Sequence, residues 1–257
     1  MMEGIRLEIE DAIALITLDR PAKLNALDRK MMAGLAGACR EIEHSAARVA
    51  ILTGQGSKCF CAGGDISAWS ADTPEEFGRF WIREGHQVFD QLARLRQPLI
   101  AVLNGDCLGG GLELAACADY RICERHARLG QPESGLGIIP GWSGTQRAVR
   151  RFGPQAVRRM ALMGEMFDAE AALALRVVDR VCATGEGLAM ARTLAAQIAN
   201  RSPQASELTK MLINAAEGEE RERVIEAIAG QLAAGSPDLA KGVEAFRNKR
   251  KPDFSGS

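Results

Sequence analysis

The chain has 257 residues, 47% hydrophobic and 25% charged, enough to bury a sizeable core in one large domain or in a domain with a smaller appendage. Its 32 Lys+Arg against 33 Asp+Glu leave no global field to recruit nucleic acid or an anionic membrane. The scarcity of Tyr and Phe argues against a platform for single-stranded nucleic acid, so any anionic ligand must be held by local groups.

The opening residues go directly into a strand pattern: Ile5, Leu7 and Ile9 alternate, and Ile13, Leu15 and Thr17 follow after the turn-like Glu10-Asp11. No targeting segment precedes them and no apolar run approaches about 18 residues, so a cytoplasmic location is expected. Pro21 makes the stretch from Arg20 to Leu27 a connector. Asp28 reads as an N-cap, with Met31, Leu35, Cys39 and Ile42 at helical spacing behind it. Val49–Thr53 predicts a strand ending at Gly54, and a glycine-rich loop, Cys61-Ala62-Gly63-Gly64-Asp65, comes next.

A long helical stretch follows. Its aromatics, Trp69, Phe77, Phe80, Trp81 and Phe89, are read as core in preference to a pocket lining. Pro98–Leu103 is another strand, closed by Asn104-Gly105. Short strands alternating with helices favour an α/β architecture with mostly parallel pairing. Beyond about Pro140 helical patterns dominate, with Leu188, Ala191, Ala195 and Ile198 on one face and Leu208, Met211 and Leu212 on another. Seven cysteines, an odd number with no CxxC pair, are read as buried free thiols in a reducing compartment.

Three segments carry chemistry. In Asn104–Ala116 a strand ends, three glycines turn the chain, and an Ala- and Leu-rich helix begins. Glycines 109–111 clear side chains from the turn, so a ligand atom can reach backbone N–H groups at a positive helix N-terminus. Glu113 lies one helical turn after Gly110 and projects beside it; the same residues also fit a tight turn with an ordinary first-turn acid. The loop around Gly63-Gly64 offers another unobstructed N–H, or is a plain surface loop. In Gly130–Gly141, Glu133 stands among glycines, a proline and apolar residues; it is either an exposed loop acid or a desolvated one with a raised pKa.

Together these segments resemble the signatures of the enoyl-CoA hydratase/isomerase (crotonase) family, in the same order over nearly the whole chain. LDRPAKLNALD resembles the family's first segment, SKCFCAGGDI its FxAGxD loop, and NGDCLGGGLELAACADYRI its glycine turn and helix. RLGQPESGLGIIPGWSGTQR resembles its second glutamate segment and GVEAFRNKRKPDF its C-terminal end. The resemblance implies a ClpP/crotonase-like α/β spiral of ββα units over residues 1–195 and a helical assembly region over 196–257. It also implies a homotrimer or a homohexamer made of two trimers. By the same resemblance, the oxyanion donors are the N–H groups of Gly64 and Gly110, and the catalytic acids are Glu113 and Glu133. Lys23, Ala26, Ala62, Gly64, Asp65, Ile66 and Gly110 contact the coenzyme A thioester. Phe246 and Lys249 reach the coenzyme A of a neighbouring subunit.

The implied activity is hydration of a 2-enoyl-CoA, with coenzyme A as part of the substrate and no separate cofactor. No metal is expected, since His44, His86 and His126 are scattered. Both glutamates favour hydratase over isomerase, lyase or hydrolase relatives, and the near-neutral charge counts against an RNA-binding homologue. Two departures stand out. Ser67 replaces a lysine of the mitochondrial hydratases, and Trp142-Ser143 replaces a pair of small residues, with Trp142 able to narrow the acyl pocket near Glu133. Arg176 stands where relatives have a helix-ending glycine. A serine hydrolase at Ser143 is disfavoured because the spacing is not G-x-S-x-G and no histidine has a suggestive context.

Overall fold

The alternation at the start of the chain builds a hairpin: β1 (Ile5–Glu10) pairs antiparallel with β2 (Ile13–Leu18), and Asp11 turns the chain at φ 52°. The structure, a computed structural model, describes residues 3–219, 225, 227–230 and 234–255. From β2 the chain passes through α1 (Arg29–Glu43), whose N-cap is Asp28: its Oδ1 accepts from Met31 N at 2.9 Å. Met31, Leu35, Cys39 and Ile42 form the buried stripe of this helix, as their spacing predicts.

The next three passes share one plan. β3 (Val49–Gly54) is followed by the short β4 (Cys59–Cys61), β5 (Leu99–Leu103) by β6 (Asp106–Leu108), and β7 (Tyr120–Glu124) by β8 (Arg128–Gly130). Helices return the chain between passes. The first return runs through α2 (Pro74–Glu76), a π-helical turn (Phe77–Ile82) and α3 (Arg83–Ala93); the second is α4 (Gly110–Ala115). β9 (Phe167–Asp168) and β10 (Arg180–Cys182) complete two sheets, ordered β1-β2-β3-β5-β7-β10 and β4-β6-β8-β9. All pairings are parallel except β1 with β2 and β8 with β9. β3 and β5 are buried along their whole length, which is why they read as unbroken apolar runs.

Two expectations need correction. Cys61, read as the start of a loop, ends the strand Cys59–Cys61; Asp106–Leu108, read as part of the glycine turn, is a strand; and β9 and β10 lie in the region read as helical. Strands of two or three residues carry no period-2 signal, and only pairing with a neighbour reveals them.

The later helices of the first unit are α5 (Gln146–Phe152), α6 (Pro154–Ala161), α7 (Ala169–Ala174) and α8 (Gly187–Ala199). Ala191 and Ala195 of α8 are buried with Val49, Ile51, Ile100, Val102 and Ile122 of the six-stranded sheet. Arg176 follows α7 at φ 59°, the left-handed conformation that a helix-ending glycine adopts. All seven cysteines are buried free thiols, and burial pushes those of Cys39, Cys61 and Cys123 up to about 12.

The chain divides into two compact units, Met1–Leu208 and Thr209–Ser257, a later boundary than 195 and one that falls within α9 (Pro203–Ala216). In the second unit α10 (Pro237–Arg247) is capped by Ser236 and exposes Leu239, Val243 and Phe246.

Two buried asparagines fix the turn after β3. Asn104 Nδ2 donates to the carbonyls of Gly54 and Gly56, and its Oδ1 accepts from Gly54 N at 3.0 Å. Asn25, at φ 55°, donates through Nδ2 to the carbonyls of Gln55 (3.1 Å) and Cys59 (2.9 Å), and its Oδ1 accepts from Arg20 N. The connector is thereby tied to the loop that leads into β4. Replacing Asn25 with Ala strands these groups and puts a Cβ residue without a compensating side chain in the left-handed region. A loss of about 3 kcal/mol is expected, read as a lower urea midpoint at unchanged slope.

Candidate active site

Two loops, after β4 and after β6, meet through their backbones. Gly63 has φ 97°, and a Cβ there would lie 3.1 Å from Leu108 O and 3.2 Å from Gly110 N. Leu27 forms an isolated parallel bridge with Gly64: Leu27 N donates to Gly63 O and Asp65 N to Leu27 O, both at 2.8 Å. With this backbone fixed, Gly64 N lies 3.3 Å from where a Gly110 Cβ would stand. Neither Gly64 N nor Gly110 N donates to another group among the described residues. Both glycines line a cavity of about 110 Å³. Gly110 is the first residue of α4, so its N–H is one of the orphan donors of a helix start.

Glu113 and Glu133 line the same cavity. Glu113 is 2% exposed, and its Oε1 accepts from Trp142 N at 2.7 Å and Gly144 N at 2.6 Å. Burial, reinforced by the charge of Glu133, pushes its pKa up to about 8 against the pull of those two N–H groups and of Arg147. Glu133 begins a 3-10 turn (Glu133–Leu136), and burial raises its pKa also. Both its carboxylate oxygens are buried without a partner among the described residues. Gly109, at φ 52°, makes room for this carboxyl: a Cβ there would lie 2.8 Å from Glu133 Oε1. The loop acid is thus desolvated, and the two acids form one coupled pair.

The other residues expected at the site divide by position. Ala62 and Ile66 line the cavity; Asp65, Lys23 and Ala26 do not. Asp65 serves the loop itself. Its Oδ2 accepts from Arg20 Nη1 at 2.7 Å and its Oδ1 from Ser67 Oγ at 2.6 Å, and Ser67 and Arg20 together lower its pKa. Arg20 also donates to Ala26 O, so one guanidinium links the connector to the donor loop. Phe246, 84% exposed, and Lys249 belong to the second unit.

Three of the five aromatics read as core, Trp69, Phe77 and Trp81, line the cavity, whereas Phe89 is core and Phe80 is exposed. The π-helical turn changes the residue spacing around the helix, so a 3.6-residue period misplaces Phe77 and Trp81, whereas Trp69 follows a separate 3-10 turn, Ile66–Ala68.

His86 was also unforeseen: its Nδ1 lies 3.1 Å from Ser143 Oγ, a pairing of residues 57 positions apart. Ser143 is 5% exposed and does not line the cavity, so the pair supports a turn and presents no nucleophile. Ser143 sits at φ 82°, where the small residue of relatives fits more easily, and this turn aims the Trp142 and Gly144 N–H groups at Glu113. Among the described residues no cluster of His, Cys, Asp and Glu could hold a metal ion.

Residues 8–257 match the family model described as enoyl-CoA hydratase/isomerase. The chain belongs to this family and has the crotonase fold. It is 35% identical to the crotonyl-CoA hydratase of Syntrophomonas wolfei subsp. wolfei, over 98% of each chain. It is 38% identical to the short-chain-enoyl-CoA hydratase of Clostridium acetobutylicum, over 83% of this chain and 82% of that one. A crystal structure of an enoyl-CoA hydratase/carnithine racemase from Magnetospirillum magneticum superposes with a TM-score of 0.81 at 33% identity, covering 100% of this chain and 97% of the other.

The raised pKa of Glu113 has a consequence for stability. A carboxyl that ionises at about 8 when folded and near its usual 4.5 when unfolded leaves stability intact below 4.5. Stability is then lost progressively as pH rises through that window. Glu113→Gln removes this titration. Its unfolding free energy relative to the parent is expected to rise from pH 4.5 to 8 and level off above, as measured by denaturant unfolding across that range.

Proposed function

We propose that the protein is an enoyl-CoA hydratase that adds water reversibly across the 2,3 double bond of a 2-enoyl-CoA thioester. The observation that carries this reading is the adjacency of two free backbone donors, Gly64 N and Gly110 N, in a cavity holding two carboxyls of raised pKa. The names of the two hydratase relatives point the same way.

The thioester carbonyl oxygen accepts from both N–H groups. Conjugation makes Cβ electrophilic, and the donors stabilise the enolate charge that gathers on oxygen as water attacks. One such donor contributes about a hundred- to thousand-fold in rate. Two backbone N–H groups orient Glu113 through Oε1, leaving its second oxygen to take a proton from the attacking water as the C–O bond forms. In the form of the coupled pair that carries its single proton on Glu133, that residue, whose oxygens have no partner among the described residues, delivers the proton to Cα. Transfer of a proton from Glu113 to Glu133 then restores the pair. Water thus supplies both the hydroxyl and, over the full cycle, the proton. Coenzyme A belongs to the substrate, and the mechanism uses no separate cofactor.

In this reading the chain assembles as a homotrimer or as a hexamer of two trimers. Leu239, Val243 and Phe246, exposed on one face of α10, are the kind of apolar surface that a second copy covers. Phe246 and Lys249 reach a neighbour's coenzyme A, while Lys23 and Ala26 hold the coenzyme A of their own subunit. Seven free buried thiols suit a reducing cytoplasm. Light scattering is expected to give three or six times the 27.6 kDa of one chain.

Loss of the conjugated-thioester absorbance of crotonyl-CoA tests the reaction. Glu113→Gln and Glu133→Gln are each expected to lower kcat by at least about a hundred-fold with folding intact. Near-parental turnover by either variant would remove that residue from the mechanism.

A further inference from the structure

The back of the cavity is built from one side chain placed against three glycines. Trp142 is 3% exposed, and its indole ring lies directly behind the two donors. A Cβ on Gly110 would stand 2.9 Å from the ring's Cζ3, and one on Gly64 would stand 3.4 Å from its Cη2. On the far side a Cβ on Gly85 of α3 would lie 2.0 Å from the indole Nε1, so the ring occupies the space that any larger residue there would need. The indole N–H donates to Trp81 O at 3.0 Å, and the rings of Trp81 and Phe89 pack at 4.9 and 5.2 Å between centroids. The indole is therefore held by a hydrogen bond, two aromatic neighbours and three close backbones. It does not swing aside without disturbing the π-helical turn that carries Trp81.

The space left in front of this wall is small. A cavity of about 150 Å³ holds the six carbons of benzene, so the 110 Å³ here has room for roughly four or five carbons. With the thioester oxygen on the Gly64 and Gly110 donors, the reacting carbons already take most of that room.

We propose that Trp142 sets the length of the acyl group: its indole closes the cavity behind the donor pair, so the site takes straight-chain 2-enoyl thioesters of about four carbons and rejects those of about eight or more. The reacting bond is taken from the hydratase reading above. The length limit comes from the wall alone.

Two features make Trp142 a specificity residue and not mere packing. Its ring lines the cavity, and its main-chain N–H binds Glu113 Oε1 at 2.7 Å. Side-chain substitution removes the wall and keeps that N–H. Each added methylene that the apolar wall leaves no room for lowers kcat/KM by about ten-fold or more, so the discrimination at the wall should be steep.

The test measures kcat/KM for the trans-2-enoyl-CoA series from four to ten carbons with the parent protein, Trp142→Ala and Trp142→Phe. In the parent, the eight-carbon to four-carbon ratio is expected to lie below about 0.01. Trp142→Ala should raise that ratio at least ten-fold, and Trp142→Phe should raise it less. Phenylalanine keeps an aromatic ring against Gly85, so it reads the proposal even where the alanine variant does not fold. A purely structural role lowers turnover of all lengths alike and leaves the ratio unmoved.

Binding of saturated butyryl-CoA and octanoyl-CoA, followed by titration calorimetry, reads the pocket without any reaction. A parent protein that prefers butyryl-CoA but fails to hydrate crotonyl-CoA would sink the hydratase reading and keep the length limit. Equal handling of four- and eight-carbon thioesters by the parent overturns the length limit. So does a ratio that neither variant shifts, even with hydration intact.

Discussion

The site depends on how closely two stretches of backbone come together. Gly63 passes so near Leu108 O and Gly110 N that a side chain on it would press into both. That approach sets the two N–H donors side by side. The Leu27–Gly64 bridge holds one loop from the connector side, and the Arg20–Asp65 ion pair at 2.7 Å ties the same connector to it. The other loop is held because it runs directly from β6 into α4, with Gly109 N donating to Gly130 O at 2.9 Å. The spiral plan serves this meeting. The second sheet aligns β4, β6 and β8, so the residues that follow each strand end up as neighbours.

Around the donors, the fold tolerates groups that stability alone would remove. Glu133 is buried with neither oxygen partnered among the described residues, and the pKa of Glu113 is pushed up because burial and the neighbouring Glu133 outweigh the two N–H groups that favour its charge. Ser143 adopts φ 82°, a conformation costing on the order of 1–2 kcal/mol for a residue with a Cβ, partly offset by its contact with His86. The unpartnered buried acid and the Ser143 backbone lie at residues that face or brace the cavity, and the helices and long strands elsewhere follow their patterns.

That division also explains what could be read beforehand. The hairpin, the Asp28 cap and the buried stripe of α1 follow from alternation, capping chemistry and helical spacing, which are local. The spiral itself came from resemblance; periodicity offered only parallel strands and intervening helices. The three residues of β4 and of β6 carry no period, and the π-helical turn breaks the helical spacing at Phe77 and Trp81. Glu113 and Glu133 could be singled out as acids in unusual surroundings. Their support could not: the N–H groups on Glu113 come from residues 29 and 31 positions away, and main-chain donors leave no mark on residue identity. Trp142 was visible as a departure, but its place behind Gly110 and against Gly85 exists only in three dimensions.

Main-chain donors have a further consequence, for how such a protein changes over generations. An N–H group survives every substitution except proline, so outside the glycines that let the loops meet, point mutation leaves in place the donors that polarise the carbonyl in the proposed mechanism. The wall and the acids are side chains, each exchangeable by a single codon. On that mechanism inheritance acts on two levels: activation of the thioester persists as long as the backbone keeps its course, while the choice of acyl group and the fate of the activated intermediate stay open to drift and selection. A lineage built on this plan can alter its chemistry without passing through a form that has lost its hold on the carbonyl.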